Sequence, residues 1–265
     1  MNMVSFGMPT LIELPELESC AALCRELGLE FVEINMSFTQ YQPEVLDEGR
    51  LRDIMERYGV YFTIHADEST DPCSVNSRIA EVYTENMELT VKLAGRLGIP
   101  TVNLHLMRGI YVTLPTGRTF IYAENEELYL EKLRAFRERM EKASAGSGVR
   151  ICIENTDGFE LPFLTHGVDT LLESPAFSLT YDIGHDHAIG ERDKPFILRR
   201  ADRLSHMHMH DGAGEKVHLA LGDGELDIAY FRELADEHDC RIVLETKTVE
   251  ALRSSVKYLR DGGMM

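Results

Sequence analysis

Three histidines alternate with two methionines in His206-Met-His208-Met-His210, and Asp211 follows at once. At the period of two of a β-strand, the imidazoles fall on one face and both thioethers on the other. Imidazole binds metals readily, so such a row, ending where a strand gives way to a glycine-containing loop, is a source of metal ligands. The bland alternative is a strand whose histidines bond one another and nearby backbone. Other residues favour the metal. Successive short apolar runs stop on a side chain that can hold a cation or move a proton: Glu33, His65, His105, Glu154, Asp182, His208 and Glu245. His218 adds a fourth imidazole in the loop after the histidine row, ahead of Gly222-Asp223-Gly224.

These residues matter together only if the chain gathers them. Apolar strands are expected at 4–7, 31–35, 61–65, 101–105, 150–154, 177–182, 204–210 and 241–245. Helical patterns are expected at 15–27, 43–58, 74–97, 126–143, 168–172, 196–203, 227–238 and 249–259, with an extended loop at about 107–125. Alternation of this kind is the signature of βα units around a parallel sheet. Eight units close a (β/α)8 barrel, the TIM-barrel architecture, and 265 residues suit one such domain spanning 1–265. An open doubly wound sheet would want a glycine-rich phosphate turn after its first strand, and none is present. In a barrel the strand ends converge on one mouth. A buried cluster of Glu, Asp and His there is costly unless something neutralises it, and a divalent cation does so.

The series Ile153-Glu154-Asn155-Thr156, Tyr181-Asp182-Ile183-Gly184-His185, His206 to Asp211 and Val243-Leu244-Glu245 resembles the xylose isomerase-like barrel superfamily. That group holds sugar and sugar-phosphate isomerases and epimerases, and also AP endonucleases. The resemblance implies one metal held by Glu154, Asp182, His208 and Glu245; periodicity alone leaves His206, His208 and His210 equivalent. Three carboxylates and one imidazole form a mainly oxygen site that suits Mn²⁺, Mg²⁺ or Co²⁺, and also Zn²⁺. It further implies isomerisation or epimerisation of a small sugar, sugar phosphate or related polyol ketone. The route is an enediolate, with Glu154 and Glu245 as acid and base on opposite sides of the reacting carbon. His65, His105, Asn155, His185, Arg108, Lys216 and His218 are the expected substrate contacts, and Glu33 is either a further one or bonded to neighbouring backbone.

Two other classes compete. An AP endonuclease-type phosphodiesterase would use three metals, and His65, His105, His185 and His218 match its additional ligands. A second ion at His65 and His105 is therefore allowed, whereas Lys216 stands where the nuclease has a carboxylate and is expected to abolish the third site. An inactive metal-binding barrel is the other class. The formal charge of −18 works against affinity for a polyanion such as nucleic acid. No run approaches a membrane span, and the five cysteines, 20, 24, 73, 152 and 240, show no zinc-type pairing, so a reduced cytoplasm is expected. Barrels of this sort often pair as homo-oligomers, but no sequence feature selects a dimer.

Overall fold

A computed structural model describes residues 4–156 and 158–265. Among them, eight parallel strands close a barrel: β1 (Ser5–Pro9), β2 (Phe31–Asn35), β3 (Tyr61–His65), β4 (Thr101–His105), β5 (Arg150–Glu154), β6 (Phe177–Asp182), β7 (Leu204–Met209) and β8 (Arg241–Leu244). Each strand pairs with its successor and β8 pairs with β1, so the sheet has no edge.

Period-two alternation explains the layering. Val32 and Ile34, Phe62 and Ile64, Ile151 and Ile153, and Met207 and Met209 are all fully buried, packed in the apolar core between sheet and helices. The alternate positions carry polar groups instead: Glu33, Thr63, Asn103, Thr180, His206 and His208, each almost wholly buried. Barrel interiors are usually filled by branched apolar residues. This one carries hydrogen-bonding groups toward its C-terminal mouth, above the buried Phe31 ring, which packs against Tyr61 and His206.

The helices start and stop where local chemistry dictates. Asp47 caps Glu48–Tyr58 by accepting the Arg50 N–H, and Gly59 ends it in the left-handed conformation. That cap places the start at Glu48 rather than at Pro43. Asn76 caps Ser77–Leu97 and Thr248 caps Val249–Asp261 in the same way. The helix expected at 168–172 begins earlier, at Pro162, whose ring suits a first turn. The one expected at 196–203 is instead a short helix, Lys194–Leu198, and a 3₁₀ turn, Ala201–Arg203. Within 107–125 the chain forms a hairpin, Tyr111–Leu114 with Gly117–Phe120, and a helical turn, Ile121–Glu124. A second hairpin, Asp211–Ala213 with Lys216–Leu219, follows β7. Among the described residues no helix is long and apolar enough to cross a membrane. All five cysteines are free and buried.

Candidate metal centre

Glu154, Asp182 and His208 lie at the C-terminal ends of β5, β6 and β7, and Glu245 follows the last residue of β8. Register brings them level: Asp182 pairs with His208, and His208 with Val243. One ligating atom from each of the four lies within 4.8 Å of the others. The Nδ1 of His208 is 3.2 Å from Glu154 Oε1, 3.2 Å from Glu245 Oε2 and 3.9 Å from Asp182 Oδ2. Yet His208 Nδ1 and Glu245 Oε2 are buried with no well-directed hydrogen bond. Buried polar atoms are rarely left so. A divalent cation among these donors would satisfy both, and a mainly oxygen set suits a hard metal. The four residues fit the ion that the sequence implies.

The electrostatics follow from the crowding. Burial pushes the carboxyls of Glu154 and Glu245 upward, but His208 beside both holds them well below the usual carboxylate range. Burial works against protonation of His208, yet Glu154, Glu33 and Glu245 around it keep its pKa well above 6.5. His65 is likewise buried, and Glu154 beside it pushes it up to about 9. Protons on the imidazoles thus hold the metal-free carboxylates together. A raised histidine gives stability that is full below 6.5 and lost as pH rises through about 9. A depressed carboxylate gives stability that is present above its ordinary value and lost in acid. A metal ion competes with the same protons. The rise in Tm caused by a fixed concentration of free Mn²⁺ should therefore grow between pH 6.5 and pH 9. Thermal melts across that range check it, and a pH-independent increment would contradict it.

The remaining expected site residues fall into two flanking groups and a few outliers. His65 Nε2 and His105 Nε2 are 3.4 and 3.2 Å from Glu154 Oε2, and the three could share an ion. The His65 Nδ1–H donates to the Ala66 carbonyl at 2.8 Å, which leaves Nε2 facing Glu154. On the other side His185 and His218 meet His210, with ring centroids 4.2–5.5 Å apart. Lys216 is exposed beside the turn of the second hairpin, and the third corner of this group is an imidazole, not the expected carboxylate position. Asn155 is fully buried, and its amide pairs with both backbone groups of Asp182, at 2.8 and 3.0 Å, so it braces β5 against β6. Arg108 is half-buried beside Gly158.

Several residues have roles that the sequence left open or did not signal. Glu33 is a buried carboxylate beneath the site: it accepts from Thr63 Oγ1 at 3.0 Å and lies 2.9 Å from Nε2 of both His206 and His208. Asn103 donates to Glu154 Oε2 and accepts from Thr180 Oγ1. Thr63, Asn103 and Thr180 each stand two residues before a strand-end residue already singled out (His65, His105 and Asp182), and Glu33 belongs to that series itself. Period two places them on the same face, so the signal was present. Lys247, 2.8 Å from Glu245 Oε1 at the mouth, had no such signal. Asp211, buried, accepts backbone N–H groups from Gly212, Gly222, Gly224 and Leu226 at 2.9–3.1 Å. A Cβ on Gly224 would come within 2.3 Å of Asp211 Oδ1, so the second glycine of Gly222-Asp223-Gly224 makes room for this clamp. Asp211→Ala orphans four amides at once and should lower unfolding free energy by about 3 kcal/mol or more in urea titrations; an unchanged midpoint would show that the loop does not depend on the clamp.

The sequence profile of a family described as xylose isomerase-like TIM barrel matches residues 21–262. An uncharacterized protein of Methanocaldococcus jannaschii is 22% identical over 222 residues, 82% of this chain and 83% of that protein. The crystal structure of a D-tagatose 3-epimerase-like protein superposes with a TM-score of 0.78 at 22% identity, covering 97% of this chain and 96% of that one. An L-ribulose 3-epimerase structure gives 0.74 at 19% identity, covering 99% and 95%. At such identities the likeness is one of fold.

Proposed function

The chain belongs to the xylose isomerase-like TIM-barrel family, and from that premise we propose that it is a divalent-metal-dependent isomerase or epimerase of a small sugar, sugar phosphate or related polyol ketone. The observation that carries the reading is the convergence of Glu154, Asp182, His208 and Glu245 within 4.8 Å, with His208 Nδ1 and Glu245 Oε2 otherwise unpartnered.

Glu154, Asp182, His208 and Glu245 would hold the ion, which supplies Lewis-acid polarisation of a substrate carbonyl and its neighbouring hydroxyl. Glu154 Oε1 and Glu245 Oε2 both stand 3.2 Å from His208 Nδ1, and in this reading each would take the proton from one face of the reacting carbon. One removes it to give an enediolate, and the other, or the same one, returns it. Asn103 donates to Glu154 Oε2 and Lys247 to Glu245 Oε1, which fixes both carboxylates. His218 donates Nδ1–H to the Glu245 carbonyl at 3.1 Å, and burial lowers its pKa to about 4. It is therefore neutral, with its Nε2 lone pair available to a substrate hydroxyl. His185, partly exposed 3.9 Å from Asp182, is placed to bond another.

One observation favours a second reading, an AP endonuclease-type phosphodiesterase: the groups His65, His105, Glu154 and His185, His210, His218 flank the central one and could hold more ions. The acidic chain argues against a polyanionic substrate. Incubating the Mn²⁺-loaded protein in D₂O with ketoses, ketose phosphates and inososes separates the two. Isomerase chemistry predicts deuterium incorporation next to the carbonyl of one of them. Nicking of abasic DNA without such exchange would favour the nuclease and sink the first reading.

A further inference from the structure

Resting on the metal reading above, we infer that His210 is a positioning residue: its ring bridges the backbone N–H of His218 and the carboxylate of Asp182, and so fixes Asp182 toward the ion. The His218 N–H lies 2.9 Å from His210 Nδ1 and can only donate, while the Asp211 carbonyl, which can only accept, stands 3.2 Å from the same nitrogen; the shorter contact makes Nδ1 the acceptor and puts the ring hydrogen on Nε2. That Nε2 is 3.1 Å from Asp182 Oδ1 and 3.3 Å from Oδ2, and it donates there. Oδ1 also accepts the His185 N–H at 2.7 Å. Asp182 is therefore held from two sides, Oδ1 by the His185 N–H and Oδ2 by the His210 ring, and Oδ2 also stands 3.9 Å from His208 Nδ1.

The surrounding chain is built for this contact. A Cβ on Gly184 would stand 1.9 Å from His210 Cε1, so only glycine there admits the ring. His218 adopts φ +57, a conformation disfavoured for a non-glycine residue, as it presents its N–H to His210. The Asp211 clamp fixes the loop that carries it. The same accounting separates His210 from His185 and His218 as ligands. Coordination through Nε2 while Nδ1 keeps accepting would require the ring to give up its only N–H and become an imidazolate. Hydrogen-bond partners of ligating groups of this kind typically carry a 10–100-fold effect on metal affinity.

The test uses the whole chain with Mn²⁺ or Zn²⁺ as the probe. His210→Gln keeps an N–H near the position of Nε2, whereas His210→Met keeps bulk without a donor. Calorimetric titration should show one strong site in the unaltered protein, affinity weakened about 10–100-fold in His210→Met and largely restored in His210→Gln. Histidine ¹⁵N spectra of the metal-loaded protein should report His210 as the neutral Nε2–H tautomer. Equal affinities in His210→Met and the unaltered protein, or loss of a second metal equivalent in His210→Met, would overturn the inference. So would an Nδ1–H tautomer, a readout that stands even where His210→Met folds poorly. No strong site in the unaltered protein would instead count against the metal reading on which the inference rests.

Discussion

At saturating Mn²⁺, Glu245→Gln should lower kcat by about 10²–10⁴-fold while leaving the fold little changed, and Glu154→Gln should do the same. Glutamine keeps the shape and one oxygen of each side chain, so the barrel and its register with His208 have no reason to change. What it removes is the group that accepts the proton. The two variants should not be equivalent in every assay. If each glutamate serves one face of the reacting carbon, a variant with one remaining base should still exchange solvent deuterium into one epimer while failing to interconvert the pair. Turnover and exchange measured side by side decide this. Unchanged turnover in Glu245→Gln would remove that residue from the chemistry, and exchange from both epimers would assign both proton transfers to the other base.

His208→Ala should destabilise the metal-free protein by roughly 3–5 kcal/mol, the usual scale for breaking one side of a buried ionic cluster. The reason lies in what the imidazole faces. Glu33 is 2.9 Å from Nε2, and Glu154 and Glu245 are each 3.2 Å from Nδ1, with Glu33 and Glu154 essentially out of solvent and Glu245 mostly so. Once the imidazole is gone, three carboxylates share one cavity without the one group that faces all of them. The depression that His208 imposes on Glu154 and Glu245 should shrink. Urea unfolding in chelator, compared with the unaltered chain, measures the loss. A difference within about 0.5 kcal/mol, the range of ordinary surface changes, would mean that the cluster does not depend on this residue.

The fold was legible because strands and helices here obey their own periods, and each strand's outward residues are apolar. The grouping of Glu154, Asp182, His208 and Glu245 was legible because strand ends in a barrel converge, although the choice of His208 among the three histidines rested on the resemblance. Two things hid from that reasoning. The hairpin at 111–120 has strands exposed along nearly all their length, so no buried face imposes an alternation that could be read. The roles of Glu33 and His210 depend on partners far away in sequence. Glu33 meets residues 173 positions away, and no local pattern reports that. Lys216, expected to abolish a third metal site, is exposed beside the hairpin turn, and in the folded chain His210 stands with His185 and His218. Its own nitrogens are engaged by His218 and Asp182, so the question moved from which charge replaces the carboxylate to which way one imidazole is protonated.

The central claim is an ion at the mouth of the barrel held by Glu154, Asp182, His208 and Glu245. Crystals soaked in Mn²⁺ and measured for anomalous scattering test it directly. The prediction is a peak within about 2–2.5 Å of one atom from each of these four residues. No ion bonded to them after soaking would contradict the claim.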